Sequence, residues 1–139
     1  MKGTYVLFME LEKDLMVEVG RLGIHELKKG TYAYVGSAMG DSVSLENRIK
    51  RHKRLAENKK GSRQWHIDYF TTSPGVSITG VVRVNGKAIE CQAAKLMSQS
   101  GGREIVRGFG SSDCKCGTHF FGLDEKIASD FLRHLPDLF

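Results

Sequence analysis

The sequence predicts one α/β domain of the α+β kind over residues 1–139, with a small, mostly antiparallel sheet flanked by helices and an added N-terminal hairpin. Three observations predict it. The first forty residues are strand-like, three later stretches carry helical periodicity, and no linker, repeat or low-complexity segment divides the chain. A chain of 139 residues with 40% hydrophobic and 27% charged side chains is long enough, and mixed enough, for one real core.

The elements follow in order. Residues 5–11 are a dense apolar run suited to a buried strand. Lys13 and Asp14 make a turn, and residues 16–20 alternate apolar and polar as a returning strand. Gly20 and Gly23 punctuate the next connection, and the aromatic and β-branched residues 31–36 read as a further strand. Residues 37–44 are a polar loop, with Ser42 or Ser44 as N-cap of a helix over 43–58 that turns Leu45, Ile49 and Ala56 inward. Residues 65–70 read as a short aromatic strand, and 76–84 as a strand closed by the Asn85 and Gly86 turn. A helix over 88–97 buries Ile89, Ala93, Leu96 and Met97. A glycine- and serine-containing stretch then leads into residues 113–119, a short strand at Phe120 and Phe121, and a last helix over 124–134.

The charge is uneven. Lysine and arginine total 21 against 16 acids, a net charge of +5. Between Arg48 and Arg63 stand eight basic residues and one acid, Glu57. A merely solvated helix face is usually laced with compensating acids. Their near absence points to phosphate contact through Lys50, Arg51, Lys53 and Arg54, with Trp65 and Tyr69 placed to stack on unpaired bases. On a helix Arg48, Arg51 and His52 face one way. The expected partner is nucleic acid, DNA before RNA. No apolar run approaches the length of a membrane span, so no membrane partner is expected, and the N-terminus runs directly into strand-like sequence; the expected compartment is the cytoplasm.

Gly3, Thr4 and Tyr5 on one strand, Tyr34, Val35 and Gly36 on another, and a basic helix after them resemble the GIY-YIG nuclease superfamily. Four blocks, residues 34–38, 48–52, 65–69 and 108–114, resemble an uncharacterised archaeal and bacterial branch of it, and the likeness runs from about Gly3 to about Phe121. The resemblance implies a metal-dependent DNA endonuclease or phosphodiesterase, in DNA repair or processing, with catalytic residues Tyr5, Tyr34, Arg48 and Glu90. Glu90 would hold one magnesium (or manganese) ion, which prefers few protein ligands and several waters. Arg48 offers a fork for phosphate oxygens. Tyr5 is assigned as proton acceptor with Tyr34 positioning it, which requires nearby cations or the metal to lower a tyrosine pKa near 10. His52 is an auxiliary proton-transfer or phosphate group. Two departures stand out: residues 15–29 form an extra hairpin between the tyrosine motifs, and the superfamily's further polar residue after the glutamate has no counterpart. The alternative is a non-catalytic nucleic-acid-binding module on the same fold.

Cys91, Cys114, Cys116 and His119 are, by type, a ligand set for structural zinc. Cys-x-Cys is tighter than common zinc spacings and no second close pair exists, so magnesium at Glu90 is the metal expected. On this reading Cys91 is a small buried hydrophobe of its helix.

Overall fold

A computed structural model describes residues 2–39, 44–111 and 114–139. The proposed cap Ser42, the helix start at Val43, Gly40 and Asp113 lie outside the described residues.

Strands β1 (Gly3–Leu11), β4 (Gly30–Ala38), β5 (Val76–Asn85), β6 (Arg103–Glu104) and β7 (Phe120–Leu123) form an antiparallel sheet in the order β5-β1-β4-β7-β6. Between β1 and β4, β2 (Leu15–Glu18) and β3 (Ile24–Leu27) pair with each other as a separate two-stranded sheet. This is the expected extra hairpin, and it leaves the pairing of β1 with β4 intact across all nine positions. Helices α1 (Leu45–Asn58), α2 (His66–Thr71), α3 (Glu90–Gln99) and α4 (Glu125–His134) complete the domain.

The pleat explains the layers. Alternate residues of a strand face opposite sides, and both sides here are covered. Tyr5, Leu7, Met9 and Leu11 of β1 join Tyr32 and Tyr34 of β4 on the face packed by Leu45 and Ile49 of α1 and Ile67 and Phe70 of α2. Val6, Ala33 and Val35 face the other way, onto Ala93 and Met97 of α3 and Phe131 of α4. A strand buried on both faces has no polar side to show, which is why β1 reads as a nearly continuous apolar run.

Residues 65–70 are not a strand. They enter helix α2, with Ile67, Phe70 and Thr71 buried at helical spacing. The cause is Asp68, whose Oδ2 accepts hydrogen bonds from the amides of Gln64 and Trp65 at 2.8 and 3.0 Å and so caps the first turn. Local β preference yields to that cap and to tertiary packing. Ser44 caps α1 by accepting from the Asn47 amide at 3.1 Å, and Asp124 caps α4 in the same way from Ile127 at 2.9 Å. Helix α3 begins at Glu90, two residues later than the pattern suggests.

A candidate active cleft at the motif tyrosines

The four sequence-selected residues Tyr5, Tyr34, Arg48 and Glu90 line one cleft of about 220 Å³, together with Ser37, Gln64, Trp65, His66 and Gly110. They come from β1, β4, α1 and the start of α3. Two local devices bring them together. Tyr5 is paired across the ladder with Gly36, so its ring lies over that glycine. A β-carbon at Gly36 would sit 2.5 Å from the Tyr5 ring and hydroxyl and 2.9 Å from Tyr34. Thr4 does the second job. Its hydroxyl donates to the Lys87 carbonyl at 2.7 Å and accepts from the Ile89 amide at 3.1 Å, which ties the start of α3, and Glu90 with it, to the strand that carries Tyr5.

Gly36→Ala is therefore expected to push the Tyr5 ring out of place, at a cost of about 1–3 kcal/mol from overpacking. Chemical denaturation measures the cost, and loss of the Tyr5 contact with His52 is readable from tyrosine and histidine ring NMR signals. An unchanged midpoint and spectrum would show that the ring does not lie on Gly36.

Tyr5 Oη and His52 Nε2 are 2.7 Å apart. His52 is fully buried. It cannot touch a phosphate, which removes that half of its expected role; its hydrogen-bond partner among the described residues is Tyr5. Burial drives its pKa down to about 4, so the ring is neutral near pH 7. Burial also pushes the Tyr5 hydroxyl above its ordinary value, against a downward pull from Arg48, and it pushes Tyr34 up in the same way. The protein's own cations do not lower Tyr5; desolvation outweighs them.

Arg48 is fixed by two contacts, a hydrogen bond from Nη1 to the Ser37 carbonyl at 2.9 Å and stacking of its guanidinium 4.3 Å from the Trp65 ring centre. Arg51 stacks on the same ring at 4.4 Å and donates two hydrogen bonds of 2.9 Å to the fully buried Asp68. Two of the expected nucleic-acid contacts are thus corrected. Arg51 serves an internal ion pair with only 17% of its side chain exposed, and the Trp65 ring is engaged by guanidiniums rather than left open for a base. Lys59, partly buried, likewise serves the fold, donating to the carbonyls of Thr71 and Val76. Lys50, Lys53 and Arg54 are exposed, as the phosphate reading requires.

His66, Gln64, Ser37 and Gly110 were not singled out from the sequence. His66 Nδ1 accepts the Gly110 amide hydrogen at 2.9 Å, so in the neutral ring the proton sits on Nε2 as a donor. Burial lowers its pKa. The available signal was its place in the block 65–69, but its partner lies in a loop more than forty residues away.

Cys91, Cys114, Cys116 and His119 bring their ligand atoms within 4.8 Å of one another. Cys91 is exposed on α3, not the buried hydrophobe expected. Burial and the two neighbouring thiols push the Cys116 thiol up to about 12. His119 is fully buried, with Nδ1 3.5 Å from the Glu90 carboxylate.

Residues 4–138 match the family described as "Domain of unknown function DUF123". The chain belongs to that family. The matched span holds every residue of the cleft and of the cysteine cluster. No curated protein and no solved structure matches the chain. Among the described residues, no helix is long and apolar enough to cross a membrane.

Proposed function

We propose that this domain is a metal-dependent DNA phosphodiesterase of the GIY-YIG type, a cytoplasmic enzyme of DNA repair or processing. One observation carries the reading: Tyr5, Tyr34, Arg48 and Glu90, distant in sequence, share one polar cleft. The Glu90 carboxylate, a quarter exposed at the cleft wall, is a suitable oxygen ligand for magnesium (or manganese), and the cleft has room for the waters such an ion keeps. Bound there, the ion supplies positive charge to a phosphoryl oxygen and an acidified water.

The chain's own residues supply the rest. The exposed Lys50, Lys53 and Arg54 of α1, which lie away from the cleft-facing side of that helix, hold flanking stretches of the nucleic-acid backbone through sequence-independent, salt-sensitive contacts. Arg48, held by Ser37 and Trp65, presents its guanidinium without reorganising as charge builds on the phosphorane oxygens. His66 Nε2–H adds a neutral donor. His52 Nδ1 has no hydrogen-bond partner among the described residues. A buried lone pair without a partner costs less than a buried N–H without one, so the proton belongs on Nε2 and His52 donates to Tyr5 Oη. The Tyr5 hydroxyl then turns its own hydrogen into the cleft and passes it to a phosphate oxygen of the substrate as the Tyr5 oxygen takes the proton of the attacking water.

A non-catalytic nucleic-acid-binding module is the second reading, and one observation favours it: burial raises the Tyr5 pKa, which opposes proton abstraction by the phenol. The experiment is cleavage of plasmid and branched oligonucleotide DNA. Magnesium-dependent nicking that a chelator stops is the expected result. DNA binding with no cleavage on any of these substrates leaves the module.

A further inference from the structure

We infer that Cys91, Cys114, Cys116 and His119 form a tetrahedral zinc site that pins the wall of the cleft in place. The four donors come from two separate parts of the chain: the second residue of α3, and the connection from Ile105 to His119 that precedes β7. Nothing in sequence proximity brings Cys91 to the others.

The distances suit the metal. Tetrahedral zinc with Zn–S near 2.3 Å and Zn–N near 2.0–2.1 Å sets its sulfur and nitrogen about 3.5 Å apart and its sulfurs about 3.8 Å apart. Cys114 Sγ lies 3.5 Å from His119 Nε2, and all four donor atoms fall within 4.8 Å of one another. Three cysteines and one histidine, closed in on themselves, are a structural donor set rather than a catalytic one, since no position is left for water. Three thiolates on one divalent ion leave a net negative charge. Lys95 and Lys115 border the same groove, and Cys91 stands in the first turn of α3, where the helix dipole favours a thiolate.

The connection itself calls for a clamp. Its described residues contain neither helix nor strand, yet they bury Val106, Phe109, Thr118 and His119. A connection of this length without regular structure is uncommon in a small domain. It is held by loop-closing hydrogen bonds such as the Gly108 amide to the Gly117 carbonyl at 2.7 Å. Zinc would fasten its far end to α3, and so fix Gly110, which packs on Tyr34 and lines the cleft.

The site also reaches Glu90. With Nε2 on the metal, His119 carries its proton on Nδ1, facing Glu90 Oε1 at 3.5 Å. A carboxylate behind a ligating histidine fixes its tautomer and raises its basicity. Glu90 is thus a positioning residue for the zinc as well as a wall of the cleft.

The test needs no nuclease assay and is independent of the proposed function. Protein without a histidine tag, purified under reducing conditions without chelator, is expected to hold one zinc per chain by elemental analysis. Co²⁺ added to the metal-stripped protein is expected to give the strong visible bands of a tetrahedral ion and near-ultraviolet thiolate charge transfer. Cys114→Ser with Cys116→Ser is expected to lose the zinc. Because that variant can fail to fold, the Co²⁺ spectrum of the unaltered chain is the deciding readout. Glu90→Ala is expected to keep the stoichiometry and weaken zinc binding by about 10–100-fold. Folded, reduced protein without stoichiometric zinc and without the thiolate–cobalt band overturns the site, as does a disulfide among the three cysteines in the purified native protein. Unchanged zinc affinity in Glu90→Ala overturns the link to Glu90.

Discussion

Glu90→Ala and Arg48→Lys are each expected to slow DNA cleavage by about 10²–10³-fold, the usual loss when one preorganised group at the developing charge is removed. Affinity for the same DNA at fixed salt is expected to change by no more than about threefold, because most of the binding rests on the exposed bases of α1. The two variants differ in cause. Glu90→Ala removes a carboxylate from the cleft wall. Arg48→Lys keeps the charge but loses the planar fork that bonds Ser37 and stacks on Trp65. If cleavage and affinity fall together in both, the residues serve binding and the proposed roles are wrong.

Arg51→Ala is expected to destabilise the fold by about 3–5 kcal/mol, as happens when one partner of a buried pair is removed and the other charge is left uncompensated. Asp68 is that other charge. It is fully buried and accepts two hydrogen bonds from Arg51 and two from the backbone that starts α2. Lys50→Ala and Lys53→Ala on the same helix are expected to change stability by less than about 0.5 kcal/mol and to reduce the salt slope of DNA binding by about one each. Denaturant midpoints and salt titrations separate the two groups. Acid provides an independent check. Burial by itself raises the Asp68 pKa, but the Arg51 and backbone hydrogen bonds outweigh it and the net shift is downward. A carboxyl with a depressed folded pKa contributes stability above its unfolded value, near 3.9, and loses it as the pH falls from there through the folded pKa. In Arg51→Ala this acid dependence is expected to shrink. A stability loss under 1 kcal/mol in Arg51→Ala would mean that Arg51 is a solvated base after all.

The parts of the fold that rest on long periodic stretches were legible in the residues. Strands β1 and β4 carry enough β-branched and aromatic residues to be read directly, and α1 shows its inner face at Leu45 and Ile49. Helix α2 was not legible. Six residues rich in strand formers become helical because the Asp68 carboxylate caps the first turn while Arg51 of α1 holds it in place, and that second contact exists only in the folded chain. Arg51 is hidden in the sequence for the same reason: it stands beside other cations, and its buried carboxylate lies seventeen residues on. The site divides in the same way. Tyr5 with Gly36 and Arg48 with Trp65 depend on motif residues that the family resemblance already marked. His66 depends on a distant loop amide, and Cys91 depends on three partners brought to it by the connection before β7. Two-residue strand β6 offers no pattern at all.

The most direct test of the central claim is single-turnover cleavage of an end-labelled branched duplex, with protein in excess and magnesium present, comparing the unaltered chain with Glu90→Ala. Cleavage at least about 100-fold faster for the unaltered chain is expected. Equal rates, or tight binding by the unaltered chain with no cleavage, would contradict it.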